Sequence, residues 1–250
     1  KCLIGAKGST MNYDLVVLCH PKDYVKLEFC INSCLEFFNP KPEGIYIVSP
    51  DRVESDGLIH VHDDEAIAIK KGDINYRRPN WIYQQFIKLC QDFTKNDHYL
   101  CVDSDLIFNR AINLFDEEKP KFFISDRDQK HDPYFHFMEK AYGLSRQVDF
   151  TFINDFMMLD KTICRKIVPD VNEFLDFCND NVSDDCLLSE FELYGNYVTK
   201  HHPHVYNIQK TKTQLNGKMA NQPWSKEEIN NLVKINSEKD IDLFTIHSWT

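Results

Sequence analysis

The chain has 250 residues, in which 39 Asp and Glu outnumber 29 Lys and Arg to give a formal net charge of -10. That length buries a substantial core within one large domain, and the acidic balance excludes a surface built to gather nucleic-acid phosphates or anionic lipid. No apolar run approaches the roughly 18 residues of a membrane span, no secretory-signal pattern is visible, and nine cysteines without a C-x-x-C pair suggest neither a zinc knuckle nor a disulfide framework; the expectation is a soluble protein of a reducing compartment, the cytoplasm.

Residues 1–10 read as an added or linking segment, with Met11 as the natural start. The run 14–19 predicts a short buried strand, and 22–38 a helix whose inward face carries Val25, Phe29, Ile31, Cys34, Leu35 and Phe38. Residues 44–48 and 58–61 predict strands, 81–93 a helix, and 99–102 the apolar strand that ends at Asp103. Strands at 121–125 and 150–153, apolar continuation at 156–159, and a helix at 163–168 follow. The stretch 171–202 reads as helical with a break near Ser183, and 242–246 as a closing strand. Alternation of this kind predicts an α/β domain with a mostly parallel central sheet flanked by helices.

Asp103-Ser104-Asp105 is the stretch with the clearest chemistry. In an extended chain residues i and i+2 face one side, so the two carboxylates can share one cation. Hard divalent ions take one or two carboxylates and complete their shell with substrate phosphates. The chain holds no G-x-G-x-x-G and no P-loop glycine pattern, so phosphate has to be held in another way. A polar turn closing a buried strand is the plainer alternative. Ligands of open α/β sheets nevertheless lie at the carboxyl ends of strands, which is where this pair falls.

A wider set of motifs accompanies the pair. Arg78-Pro-Asn-Trp81 with Gln84, Gln85 and Lys88, then Asp103-Ser-Asp105, 154–159 (Asn-Asp-Phe-Met-Met-Leu), 189–195 (Ser-Glu-Phe-Glu-Leu-Tyr-Gly) and Ile246-His247-Ser248 together resemble a poorly characterised group of GT-A fold, nucleotide-sugar-dependent glycosyltransferases. The resemblance covers most of 13–249. It implies a GT-A, Rossmann-like single domain over 11–250, with a nucleotide-binding part at about 11–110 and an acceptor-side part at about 111–250. It also implies Mn2+ or Mg2+ on Asp103, Asp105 and His247, bridging the phosphates of a UDP- or GDP-sugar, UDP being favoured.

The same resemblance points to His20, Asp23, Arg78, Gln85, Lys88, Asp103 and Asp126 as donor-contacting residues, and to Asp128 and Asp155 as further contacts. The acceptor is then a hydroxyl of a glycan, glycoprotein or lipid-linked sugar. On a helix taken to start after Ser183, Glu190 falls inside the edge of an apolar arc and Glu192 outside it. Buried carboxyls make better proton acceptors at neutral pH, so Glu190 is the first choice of catalytic base and Asp185 the second, with a helix-cap role for Ser183, Asp184 and Asp185 as the plain alternative. His60 and His62 beside Asp63 and Asp64, and the later His201, His202 and His204, have no zinc spacing. Two other functions stay open: a haloacid-dehalogenase-like phosphatase using the D-x-D, and a catalytically silent scaffold that binds a glycan or a partner.

Overall fold

A computed structural model describes residues 11–125, 130–219 and 222–249. In chain order the strands and helices begin β1 (Asp14–Leu18), α1 (Tyr24–Phe37), β2 (Phe38–Asn39), β3 (Ile45–Ser49), β4 (Ile59–His62), α2 (Pro79–Cys90), β5 (His98–Asp103) and β6 (Leu106–Phe108). They continue with β7 (Ile112–Asn113), β8 (Phe115–Asp116), β9 (Lys119–Ser125), α3 (Asp132–Tyr142), β10 (Phe156–Asp160), α4 (Lys161–Ile167), α5 (Val171–Asn181) and α6 (Glu190–His201). The last four are β11 (Asn207–Thr211), β12 (Thr213–Met219), α7 (Lys226–Ser237) and β13 (Leu243–Trp249).

The main sheet runs β10-β5-β1-β3-β4. Strands β5, β1, β3 and β4 are parallel and β10 is antiparallel to β5. The central three are almost continuous apolar runs because helices cover both faces: Leu15, Val16, Val17, Ile47, Tyr99, Leu100, Cys101 and Val102 are all buried. A mixed α/β domain with a mostly parallel sheet is therefore what the alternating pattern predicted. Three smaller sheets, β11-β9-β8, β12-β13-β6 and β2-β7, flank it.

The helices begin and end where local chemistry dictates. Pro79 opens α2 at a position whose N–H has no helical partner. Ser225 and Glu228 cap α7 reciprocally, and Gly143 ends α3 in the left-handed conformation at φ 56°.

Several elements differ from the sequence reading. Residues 150–153 are not a strand; Thr151 and Phe152 are buried in an irregular segment laid against α6. The break after α5 is longer than expected, and α6 starts at Glu190, capped by Ser189, whose Oγ accepts from the Glu192 N–H at 3.4 Å. Ser183 to Cys186 instead form a tight turn before the helix. On α1, Leu35 is 39% exposed and Lys26 is buried, while Val25 and Phe29 pack on a second apolar cluster made by Ile107, Ile229, Phe244 and Ile246.

The eight cysteines among the described residues are all free thiols. No helix among those residues is long and apolar enough to cross a membrane.

Candidate functional site

From β1 the chain moves outward to β3 and β4, then returns to the other side of β1 as β5. This reversal puts the carboxyl ends of β1 and β5 at a topological switch point, the position at which open α/β sheets take ligands. The register sets Leu18 of β1 opposite Asp103 of β5. Residues 19–23 therefore leave the sheet beside Asp103-Ser104-Asp105.

The acidic pair reaches the switch point by a route other than an extended strand. Strand β5 ends at Asp103, and Ser104 and Asp105 form a tight turn into β6. Pairing of β6 with β13 brings Thr245 opposite Leu106, and the Ile246 N–H donates to the Asp105 carbonyl at 2.8 Å. The next residue, His247, sets its Nδ1 2.9 Å from Asp105 Oδ2. Sequence neighbours thus supply the two carboxylates, and a strand 142 positions away supplies the imidazole.

Asp103 is held from the opposite side. Lys88, fully buried on α2, donates from Nζ to Asp103 Oδ1 and to Glu190 Oε1, each at 2.7 Å, and lies 4.5 Å from the centre of the Phe191 ring. The Glu190 N–H donates to Gln85 Oε1 at 3.1 Å, and Gln85 Nε2 donates to the Trp81 carbonyl at 3.1 Å. The Asp103 N–H donates to the Asp155 carbonyl at 2.9 Å, and Asp155 sits at φ 60°. Left-handed backbone at a non-glycine residue stores strain, and here it lies beside the acidic pair.

These groups set one another's charge. Burial pushes the Asp103 carboxyl up to about 6; Lys88 opposes that rise, and Asp155 and Asp105 add to it. For Asp105 burial acts upward too, but the hydrogen bond from His247 and its charge outweigh it, so the carboxyl lies below its usual range. Burial disfavours the His247 imidazolium, yet Asp105 holds it and the pKa is raised. Lys88 is likewise penalised by burial and more than compensated by Asp103 and Glu190.

The other predicted residues divide. Gln85, Lys88 and Glu190 join this cluster. Asp23 is buried at the mouth of β1 and is paired with Lys26 at 2.6 Å. His20 is exposed and accepts from the Lys22 N–H. Arg78 is exposed, with its guanidinium carbon 4.7 Å from the centre of the Trp81 ring. Asp185 is exposed in the turn before α6, where its carbonyl faces His136 Nδ1 at 2.8 Å; no contact ties its carboxylate to the cluster among the described residues. Glu192, expected outside the buried arc, is 1% exposed and accepts from Thr151 Oγ1 at 2.5 Å and the Phe152 N–H at 3.1 Å. Asp126 and Asp128, like residues 1–10, lie outside the described residues.

Among the residues not anticipated, Lys26 matters most, since its charge helps hold Asp105 ionised. The Asp23/Lys26 spacing of three on a helix start was its available signal. His62, Asp63 and Asp64, at the end of β4, could bring ligand atoms within 4.8 Å of one another. Asp63 is already paired there with Lys71 at 3.1 Å and with His62 at 3.4 Å. A groove of about 610 Å3 runs between α1 and 52–58, lined by Tyr24, Leu27, Ile31 and Leu58, and none of the acidic cluster lines it.

The open α/β sheet thus carries two carboxylates, an imidazole and a buried lysine at its switch point, whereas the three side chains whose ligand atoms do lie together among the described residues are His62, Asp63 and Asp64. Neither a scan against protein-family models nor a search of curated proteins finds a match for the chain.

Proposed function

We propose that the chain is a metal-dependent glycosyltransferase of the GT-A type. It moves a sugar from a nucleoside diphosphate sugar, UDP-sugar favoured, to a hydroxyl of a glycan or glycoconjugate. The observation that carries this reading is the 2.9 Å contact of His247 with Asp105, set two residues from Asp103 at the carboxyl ends of β1 and β5. The strand order supports it, with four parallel strands and one antiparallel edge.

Two carboxylates and an imidazole make an oxygen-rich set with one nitrogen, which fits Mn2+ well and Mg2+ acceptably. Asp103, Asp105 and His247 would hold the ion. When bound it supplies positive charge against the departing diphosphate. The chain's own residues prepare that position. Lys88 keeps Asp103 anchored by one oxygen, and His247 keeps Asp105 ionised. Glu190 is buried and its Oε1 is engaged by Lys88, an arrangement better matched to orienting that lysine than to taking a proton from an acceptor. The exposure of Asp185 leaves it outside the cluster.

The test is equilibrium binding of UDP and GDP with and without Mn2+, on the wild type and Asp105→Ala. Nucleotide binding that needs Mn2+ and is lost in the variant supports the reading. Absence of any Mn2+-dependent nucleotide binding by the folded wild type would sink it. Hydrolysis of p-nitrophenyl phosphate in its place would move the assignment to a phosphatase.

A further inference from the structure

Next to the acidic cluster the N-termini of α2 and α3 bring together a set of half-buried aromatic rings. Trp81 has its ring centre 6.5 Å from that of Tyr76 and 6.5 Å from that of Tyr134, tilted by 50° and 32°. His131 stands edge-on to Tyr134 at 4.5 Å. Arg78 covers Trp81 at 4.7 Å. At the rim Asp184 accepts from the Tyr76 hydroxyl at 3.1 Å and pairs with Arg77 at 2.8 Å, both charged side chains remaining largely open to solvent.

Core aromatics in this protein are sealed; Tyr99, Phe86 and Phe156, for example, are fully buried. Tyr76, Trp81 and Tyr134 keep part of their surface in solvent, and they are splayed rather than closed face to face. Such a bowl offers flat, rigid, amphipathic area at small conformational cost. Around it stand planar donors and acceptors, the solvent-facing Arg77–Asp184 pair and the Arg78 guanidinium. A pyranose matches both halves: its axial C–H face lies on aromatic rings, and its neighbouring hydroxyls meet paired donors and acceptors in plane.

The bowl is joined to the acidic cluster by short links. The Trp81 carbonyl is bonded to Gln85, Gln85 to the Glu190 N–H, Glu190 to Lys88, and Lys88 to Asp103. The charge of Glu190 also reaches the Tyr134 phenol, whose pKa is raised by burial first and by that charge second.

We propose that Tyr76, Trp81 and Tyr134, with Arg78 and Asp184 at the rim, form a carbohydrate subsite that holds one sugar ring of the acceptor beside Asp103. That the sugar is an acceptor rests on the glycosyltransferase reading. That the bowl binds a sugar ring does not.

Saturation-transfer NMR with a defined panel, lactose, cellobiose, maltotetraose and chitobiose at tens of millimolar, tests this without turnover. The intact chain, Trp81→Ala, Tyr134→Ala and the conservative Trp81→Phe are compared, with circular dichroism as the check of folding. At least one sugar binds the wild type through its ring C–H protons. Binding weakens tenfold or more in each alanine variant, the loss expected of a central aromatic contact, and is largely kept in Trp81→Phe. Mn2+-dependent UDP binding stays at the wild-type level in all three. Failure of the whole panel to bind, or binding that Trp81→Ala leaves unchanged in a folded protein, overturns the subsite. If UDP and Mn2+ bind but no sugar does, the subsite fails and the transferase reading stands. If a sugar binds through Trp81 but no nucleotide binds, the subsite stands and the transferase reading fails.

Discussion

Lys88 Nζ lies 2.7 Å from Glu190 Oε1, and the same nitrogen reaches Asp103 Oδ1 at the same distance, so one buried cation ties α6 to the strand that ends in the acidic pair. Removing Lys88 leaves the buried Glu190 carboxylate unpaired, a loss that costs about 3–5 kcal/mol for a fully buried pair, while the partly exposed Asp103 adds little. Lys88→Met should lose stability on that scale in urea unfolding. Lys88→Met with Glu190→Gln should recover part of it, because one stranded carboxylate becomes neutral. Equal stability of the single variant and the wild type would mean that the triad does not hold the site together.

The contact between His247 and Asp105 predicts a pH signature. His247 titrates above its ordinary 6.5 in the folded chain, so its stabilisation is full below 6.5 and fades as pH rises through the raised value. Asp105 titrates below its ordinary 3.8, so its share is present above 3.8 and fades as pH falls through the lowered value. The pair therefore stabilises most between those two ordinary values. Asp103, raised to about 6, acts in the opposite sense, its contribution being lost as pH rises through about 6. Comparing wild type with His247→Gln largely cancels that background. The stability gap should be wider at about pH 5 than at about pH 8.5; a gap that is flat or widens with pH would show the imidazole to be neutral in the folded chain.

Glu192 is the other buried carboxylate of α6, and its role is structural. It accepts from Thr151, the Phe152 N–H and Asn196, the last at 3.0 Å. Burial raises its pKa, and the hydrogen bonds from Thr151 and Phe152 pull against that rise. Glu192→Ala strands those donors in the interior, where each unmet group costs about 1–3 kcal/mol. Glu192→Gln keeps the shape and one acceptor oxygen. Thermal unfolding should rank wild type and Gln well above Ala; an Ala variant as stable as Gln would show that the irregular segment 150–153 finds other partners.

The sheet was legible because its strands are apolar runs spaced by helix-length segments, and that pattern depends only on local periodicity. The acidic pair was legible for the same reason, as the polar end of the run before it. What escaped was the long-range pairing. Lys88 sits on a helix where a lysine ordinarily faces water, and only the carboxylates arriving from β5 and α6 make it an interior residue; Lys26 instead pairs locally with Asp23 at the start of α1. Glu192 was assigned to the outer face because helical periodicity assumes one wet side, whereas the segment 150–153 covers that side of α6. The start of α6 was misplaced at the Ser183-Asp184-Asp185 run, although Ser189-x-x-Glu192 carries the stronger cap spacing. The aromatic bowl joins two helix starts about fifty positions apart, which no local pattern encodes.

Gly195 reverses the usual rule for a glycine within a helix. In an exposed helix, replacing glycine by alanine gains about 0.5–1 kcal/mol. A Cβ on Gly195 would lie 2.2 Å from Cγ of Phe152, a ring that is itself fully buried and packed edge-on against Phe122 at 5.3 Å and Phe150 at 5.2 Å. The ring cannot retreat without opening that aromatic cluster, so Gly195→Ala should destabilise by about 1–3 kcal/mol, the range for overpacking a tight core. Phe152→Leu in the same chain should relieve the clash, leaving the double variant less destabilised than the sum of the two single changes. The segment 150–153 also supports Asp155, whose carbonyl receives the Asp103 N–H. Gly195→Ala should therefore weaken the Mn2+-dependent nucleotide binding proposed for this site as well as stability, and a variant with wild-type unfolding would show that the segment moves freely over α6.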